Sequence, residues 1–193
     1  MSGIINTTTV ESTNLQVSNI KDSTGANTAM TVDSSGNVSF GQTYPKIAVI
    51  QEENSSHTAS GGTSANGDWQ DRVLDTVHFD PDNIVTLSSN QFTLGAGTYI
   101  IEFSAPAFLA FRHTSALYDV TNSAYVEYGL VNYSDTGSQN RSEGIARVSI
   151  TSNTTYKIRH HTATSRATNG LGVSSNVSGI PAIWTTVKIT QIG

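Results

Sequence analysis

From Tyr44 onward, apolar and polar residues alternate with a period of two. In GTYIIEFSAPA, Tyr99, Ile101, Phe103 and Ala105 fall on one side, and Ile100, Glu102 and Ser104 on the other. GIARVSIT sets Ala146, Val148 and Ile150 against Arg147 and Ser149. TTYKIRHH sets Tyr156, Ile158 and His160 against Lys157, Arg159 and His161. AIWTTVKITQIG sets Ile183, Thr185, Val187 and Ile189 against Trp184, Thr186, Lys188 and Thr190. Successive side chains of a strand point to opposite faces, so each run predicts a strand with one buried side. Gly, Asn, Asp and Ser separate the runs at roughly the 8 to 12 residue spacing of sandwiches and jelly rolls. No stretch has helical periodicity. The pattern predicts an all-β fold of two antiparallel sheets packed face to face, with roughly seven to ten short strands.

Upstream the pattern is leaner. DSTGANTAMTVDSSGN, residues 22–37, repeats a turn signal at Asp22-Ser23-Thr24-Gly25 and Asp33-Ser34-Ser35-Gly36. Asp and Ser bond their own backbone and Gly accepts positive φ, so both tetrapeptides predict turns. Around them lie only Ile20, Ala29, Met30, Val32, Val38 and Phe40, too little apolar surface for an isolated hairpin to be more than marginal. The shift in composition, and Pro45, which holds its predecessor extended, divide the chain into a hairpin-rich segment, residues 1–43, and a globular one, residues 44–193.

Composition narrows the function. Of 193 residues 36% are hydrophobic and 13% charged, the latter about half the usual ~25%. Ser, Thr, Asn and Gly supply the polarity instead, which fits short strands and many loops. Without cysteine, no disulfide or thiolate metal site can form. A net charge of −5 lacks the basic footprint that phosphate contacts demand, so nucleic acid is not an expected partner. MSGIINTTTV carries neither the basic region nor the apolar run of a signal peptide, and no stretch reaches the ~18 apolar residues of a membrane helix. The expectation is a chain made in a host cytoplasm, without membrane insertion.

The runs FTLGAGTYIIEFSAPAFLAFRHTSALYDVT, SEGIARVSITSNTTYKIRHH, NGLGVSS and IPAIWTTVKITQIG resemble the jelly-roll heads similar to the globular domain of the first complement component and to tumour necrosis factor. The likeness spans about residues 46–193. It is nearest to the versions found in bacteriophage structural proteins, and residues 1–43 resemble short stalk segments of marine, cyanophage-like virion proteins. The resemblance implies a homotrimer. Three copies around one axis could give the lean stalk the apolar partner it lacks, with Ile20, Met30, Val32, Val38 and Phe40 facing that axis or a docking surface. It also implies that the sheet of the first, third, sixth and last strands turns its non-core face to neighbouring subunits. That face is expected to carry Ile100, Glu102, Lys157, Arg159, His161, Trp184 and Lys188, with Glu102 pairing Arg159 or Lys157 and Trp184 as buried anchor.

Local chemistry adds little that is catalytic. His160 and His161 point to opposite faces and cannot share an ion within one chain, and His78 and His113 sit in other strands. Asp68, Asp71, Asp80, Asp82 and Asn83 form oxygen-rich loops, but Asp-Pro-Asp-Asn is first a turn. There is no Gly-x-Ser-x-Gly and no phosphate loop ending in Lys-Ser/Thr. No cofactor, metal or enzymatic activity is expected. The better lead is aromatic: Trp69, Tyr118, Tyr125 and Tyr128, with Tyr133, near strand ends among Asn, Asp and Ser, suit stacking on sugar rings. The expected function is that of a non-enzymatic virion structural protein: a short fibre or knob joined to other virion proteins through residues 1–43 and attaching to host-surface glycan. A capsid-decorating or cement protein is the alternative, and a bacterial surface protein with the same head a third.

Overall fold

The computed structural model describes residues 19–21, 28–40 and 44–192. The chain divides into two units, Met1–Tyr44 and Pro45–Gly193. In the first, β1 (Asn19–Lys21), β2 (Thr28–Val32) and β3 (Val38–Phe40) form an antiparallel meander. Its second turn is closed by Asp33, whose Oδ1 accepts the backbone N–H of Ser35 and Asn37, each at 2.9 Å, while Gly36 takes φ 82°. These bonds to the ionised carboxyl, with the Asn37 side chain foremost, hold Asp33 below the ordinary carboxylate range. The first predicted turn, residues 22–25, and the side chains of Ile20 and Phe40 lie outside the described residues. The backbone register sets Ile20 opposite Met30, Met30 opposite Phe40 and Val32 opposite Val38. Met30 and Val32 are half-buried and Val38 is exposed.

The second unit is a two-layer sandwich of twelve strands, more than the expected seven to ten because several short strands extend the sheets. In chain order they are β4 (Lys46–Asn54), β5 (Trp69–Asp71), β6 (Thr76–Phe79), β7 (Val85–Ser88), β8 (Gln91–Leu94) and β9 (Gly97–Phe108). There follow β10 (Phe111–Asp119), β11 (Ala124–Tyr128), β12 (Asn132–Ser134), β13 (Gln139–Ile150), β14 (Thr154–Thr162) and β15 (Ala182–Gln191). One sheet runs β13-β9-β15-β4-β6 and the other β11-β10-β14-β8-β7, with β12 added to β10 and β5 to β14. All these ladders are antiparallel. No helix occurs among the described residues.

The core lies between the layers. Ile50, Tyr99, Ile101, Phe103, Val187 and Ile189 from one sheet meet Phe92, Leu94, Leu117, Tyr156 and Ile158 from the other. For β9, β13 and β14 the buried side is the one the alternation assigns. For β15 it is not. The register with β4 slips between Ile183 and Thr186, so Ile183 is exposed whereas both Trp184 and Thr185 are buried. A bulge inserts a residue and exchanges the faces on one side of it.

Arg72, just after β5, ties the layers together at one end of the core. It is fully buried. Its Nε donates to Thr185 Oγ1 at 2.8 Å, Nη1 to Pro106 O at 3.2 Å, and Nη2 to Glu52 Oε2 at 2.9 Å and Leu171 O at 2.8 Å. Thr185 in turn donates to Glu52 Oε2 at 2.9 Å. Burial pushes the Glu52 carboxyl up, and the guanidinium pulls it back. Nearby, His113 Nδ1 and His160 Nε2 lie 3.1 Å apart across β10 and β14. Whichever ring donates, one ring N–H is left over, since His113 Nε2 and His160 Nδ1 have no partner among the described residues. Burial, reinforced by the charge of Arg72, lowers His113 to about 4 and His160 well below the ordinary value.

Candidate functional site

The outer face of the sheet containing β10 and β14 gathers the predicted aromatic residues. Tyr118 lies opposite Lys157 on β14 and Tyr125 on β11; Ala116 lies opposite Arg159 and Tyr128; Thr114 lies opposite His161, which pairs with Trp69 of β5. Trp69 and Tyr128 belong to strands three steps apart, roughly 14 Å at ~4.8 Å per step. Their ring centroids nevertheless come to 6.0 Å. The rings can lean together because the outward position between them is Ala116, which is fully buried and contributes only a methyl group.

The rings form one connected cluster. Trp69 is 5.1 Å from Tyr125 and 5.6 Å, edge-on, from His161. Tyr125 stacks on Tyr128 at 5.2 Å and meets Tyr118 edge-to-face at 5.0 Å. Arg159 braces them from below: Nη1 donates to Tyr125 Oη at 2.7 Å and Nη2 to Trp69 O at 2.9 Å, and its guanidinium lies 5.2 Å from the Tyr118 centroid. Burial pushes the Tyr125 hydroxyl up, against the pull of Arg159. Asp71 balances the cations, with Oδ2 2.7 Å from Lys157 Nζ and Oδ1 3.3 Å from Arg159 Nε. This is a surface of apolar ring faces with polar groups at its border, suited to stacking and hydrogen bonding rather than to bond making.

Trp69, Tyr118, Tyr125 and Tyr128, singled out one by one in the sequence, come together on this face, and they are joined by Arg159, Lys157 and His161, which had been assigned to a subunit contact. That contact set does not exist as one surface. Ile100, Glu102 and Lys188 stand on β9 and β15, whereas Lys157, Arg159 and His161 stand on β14 in the opposite layer. Glu102 pairs with Lys188 at 2.6 Å, not with Arg159 or Lys157. Trp184 is 3% exposed, with Nε1 donating to Val173 O at 2.8 Å, so it anchors the loop after β14 within its own subunit. Gly172 is required beside it, since a Cβ there would meet the indole ring.

A second surface lies on the β9, β13 and β15 side. A groove of about 750 Å³ runs past Phe103, Gly144 and Lys188 and is bordered by Tyr128, Leu130 and Ile145. Leu130 and the adjacent Val131 are 72% and 73% exposed. Three carboxylates line the groove, and each is engaged: Glu102 with Lys188, Glu143 with Ser104 Oγ at 3.3 Å, and Glu127 with the N–H of Tyr128 at 3.0 Å. The oxygen-rich loops are likewise structural, for Asp80 accepts the N–H of Ile84 and Val85, each at 3.0 Å. No cluster of three or more His, Cys, Asp or Glu able to hold a metal occurs among the described residues.

Solved structures share this topology. Murine APRIL at pH 5.0 superimposes with a TM-score of 0.54 at 6% identity, covering 77% of this chain and 100% of that one. Eiger TNF from S. frugiperda gives 0.50 at 11% identity, covering 77% and 93%. The globular domain of zebrafish complement 1qA gives 0.46 at 11% identity, covering 76% and 95%. The sequence matches no protein-family model and no curated protein. From the first two, and from the sheet orders, the fold is the antiparallel jelly roll of tumour-necrosis-factor-like domains.

Proposed function

We propose that the chain is a non-enzymatic virion structural protein, a homotrimeric surface appendage whose head attaches to host-surface glycan and whose residues 1–43 join it to other virion proteins. The observation that carries the reading is the ring cluster of Trp69, Tyr118, Tyr125 and Tyr128 on the outer face. The virion setting rests on the resemblance of the stalk and head sequences. The trimer draws support from the fold and from the open apolar side chains of Leu130, Val131 and Ile145 beside the groove, a patch of the kind that marks association surfaces.

The test is the solution mass of the full-length chain by light scattering, followed by a glycan array on the same sample with Trp69→Ala in parallel. A trimer that retains a selected set of glycans, lost in the variant, is the expected result. A monomer overturns the assembly. A trimer that binds no sugar but adheres to empty capsids overturns attachment in favour of decoration.

A further inference from the structure

The aromatic surface does not end at Trp69. Two residues along β10 from Thr114, Arg112 lies opposite Tyr133 of β12, and the Tyr133 ring packs on Phe111 at 5.7 Å and a tilt of 34°. Both rings are open, Phe111 at 42% and Tyr133 at 46%. Strand alternation would send Phe111 inward with His113 and with its cross-strand partner Ser134, both of which are buried. Its backbone instead takes φ 55°, a region bulky residues avoid, and the ring emerges beside Tyr133. Leu109 makes the same departure at φ 50°. An exposed ring held by an unfavourable backbone is not accounted for by packing, and such outliers gather at binding sites.

Arg112 differs from the cations of the ring cluster. Lys157 and Arg159 are held by Asp71, whereas the exposed Arg112 side chain makes no hydrogen bond or ion pair among the described residues. From Tyr118 to Arg112 the outer face runs six residues, roughly 20 Å of strand. Along it lie rings, then Thr114 and His161, then Arg112, whose cross-strand partner is Tyr133 and whose chain neighbour is Phe111.

We propose that this strip binds an extended acidic glycan of several sugar residues, its rings stacking on Trp69, Tyr125 and Tyr128 at one end and on Tyr133 and Phe111 at the other, with a sugar carboxylate on Arg112. The proposal rests on the glycan-binding reading above and specifies its ligand. A guanidinium suits a carboxylate because its fork of donors takes both oxygens at once.

The experiment applies the full-length chain to an array bearing length series of neutral glycans and of uronic- or sialic-acid-containing counterparts, and titrates the retained ones. Affinity is expected to rise at least tenfold from one sugar to four or more, and acidic chains to exceed neutral ones of equal length. Arg112→Gln should cut binding of acidic chains about tenfold, the scale of one charge-assisted contact, and of neutral chains less than twofold. Tyr133→Ala should weaken long chains and spare short ones, whereas Trp69→Ala weakens all. If glycans are retained but one sugar binds as tightly as six, or Arg112→Gln changes nothing, the extended acidic ligand is wrong and the ring cluster stands. If no glycan is retained, both readings fall.

Discussion

Arg72 is the residue on which one end of the core depends. Replacing it leaves Glu52 buried with Thr185 but without a countercharge, and breaking a buried pair from one side costs about 3–5 kcal/mol. Arg72→Met should therefore lower the unfolding free energy in urea by about that much, and the double variant with Glu52→Leu should recover a good part of it. The histidine pair gives a pH signature at the same end. His113 and His160 keep neutral forms in the fold, with His113 at about 4 against an unfolded value of 6.5. Above 6.5 neither state holds the proton. Between 6.5 and 4 the unfolded chain takes it up and the folded one does not, so stability falls as pH falls, by at most about 1.4 kcal/mol per unit for each ring. Urea midpoints measured from pH 7 to pH 4 should drop through this window, and His113→Asn should flatten the drop.

Among the elements, β15 shows how much the alternation could and could not reveal. The buried sides of β9, β13 and β14 were legible because β13 and β14 keep their period along their length and β9 keeps it from Tyr99 to Ala105. The slip at Ile183 carries no mark in the sequence, and it moved Trp184 from a supposed outer anchor to an interior one. Trp184→Ala should accordingly destabilise the subunit itself, by about 3–5 kcal/mol in urea unfolding. Gly172→Ala, which would drive a methyl group into the indole from a backbone at φ 148°, should lower the melting temperature measurably. Layer membership was hidden for another reason: a strand's own pattern tells inside from outside but not which sheet it joins. Lys157 and Arg159 on β14 read the same as Glu102 on β9 until pairing separates them. The ring cluster was partly legible, as aromatics among small polar residues. Phe111 was not, since its left-handed backbone breaks the rule by which faces are read. Nor was Arg72, whose partners lie 20, 34, 99 and 113 residues away.

At the scale of the whole molecule, the core lies within Pro45–Gly193, and the candidate ligand strip belongs to the same unit. Deleting residues 1–43 should leave a head that still folds, by far-ultraviolet dichroism, and, on the proposed function, keeps its glycan selectivity but no longer incorporates into particles. If the full-length chain is the proposed trimer, mass measurement on that fragment separates the two units' shares in assembly: a trimer places the contacts in the head, a monomer in the stalk. The sheet order has a further consequence, for synthesis. β15 lies between β9 and β4, and it is the last strand of the sandwich to leave the ribosome. Until it arrives, β4 and β9 each present an unpaired edge to the same gap, the arrangement most prone to capture another strand. Closure of this sheet is thus a late event, and the interval before it is when a nascent head is open to proteases, chaperones and copies of itself.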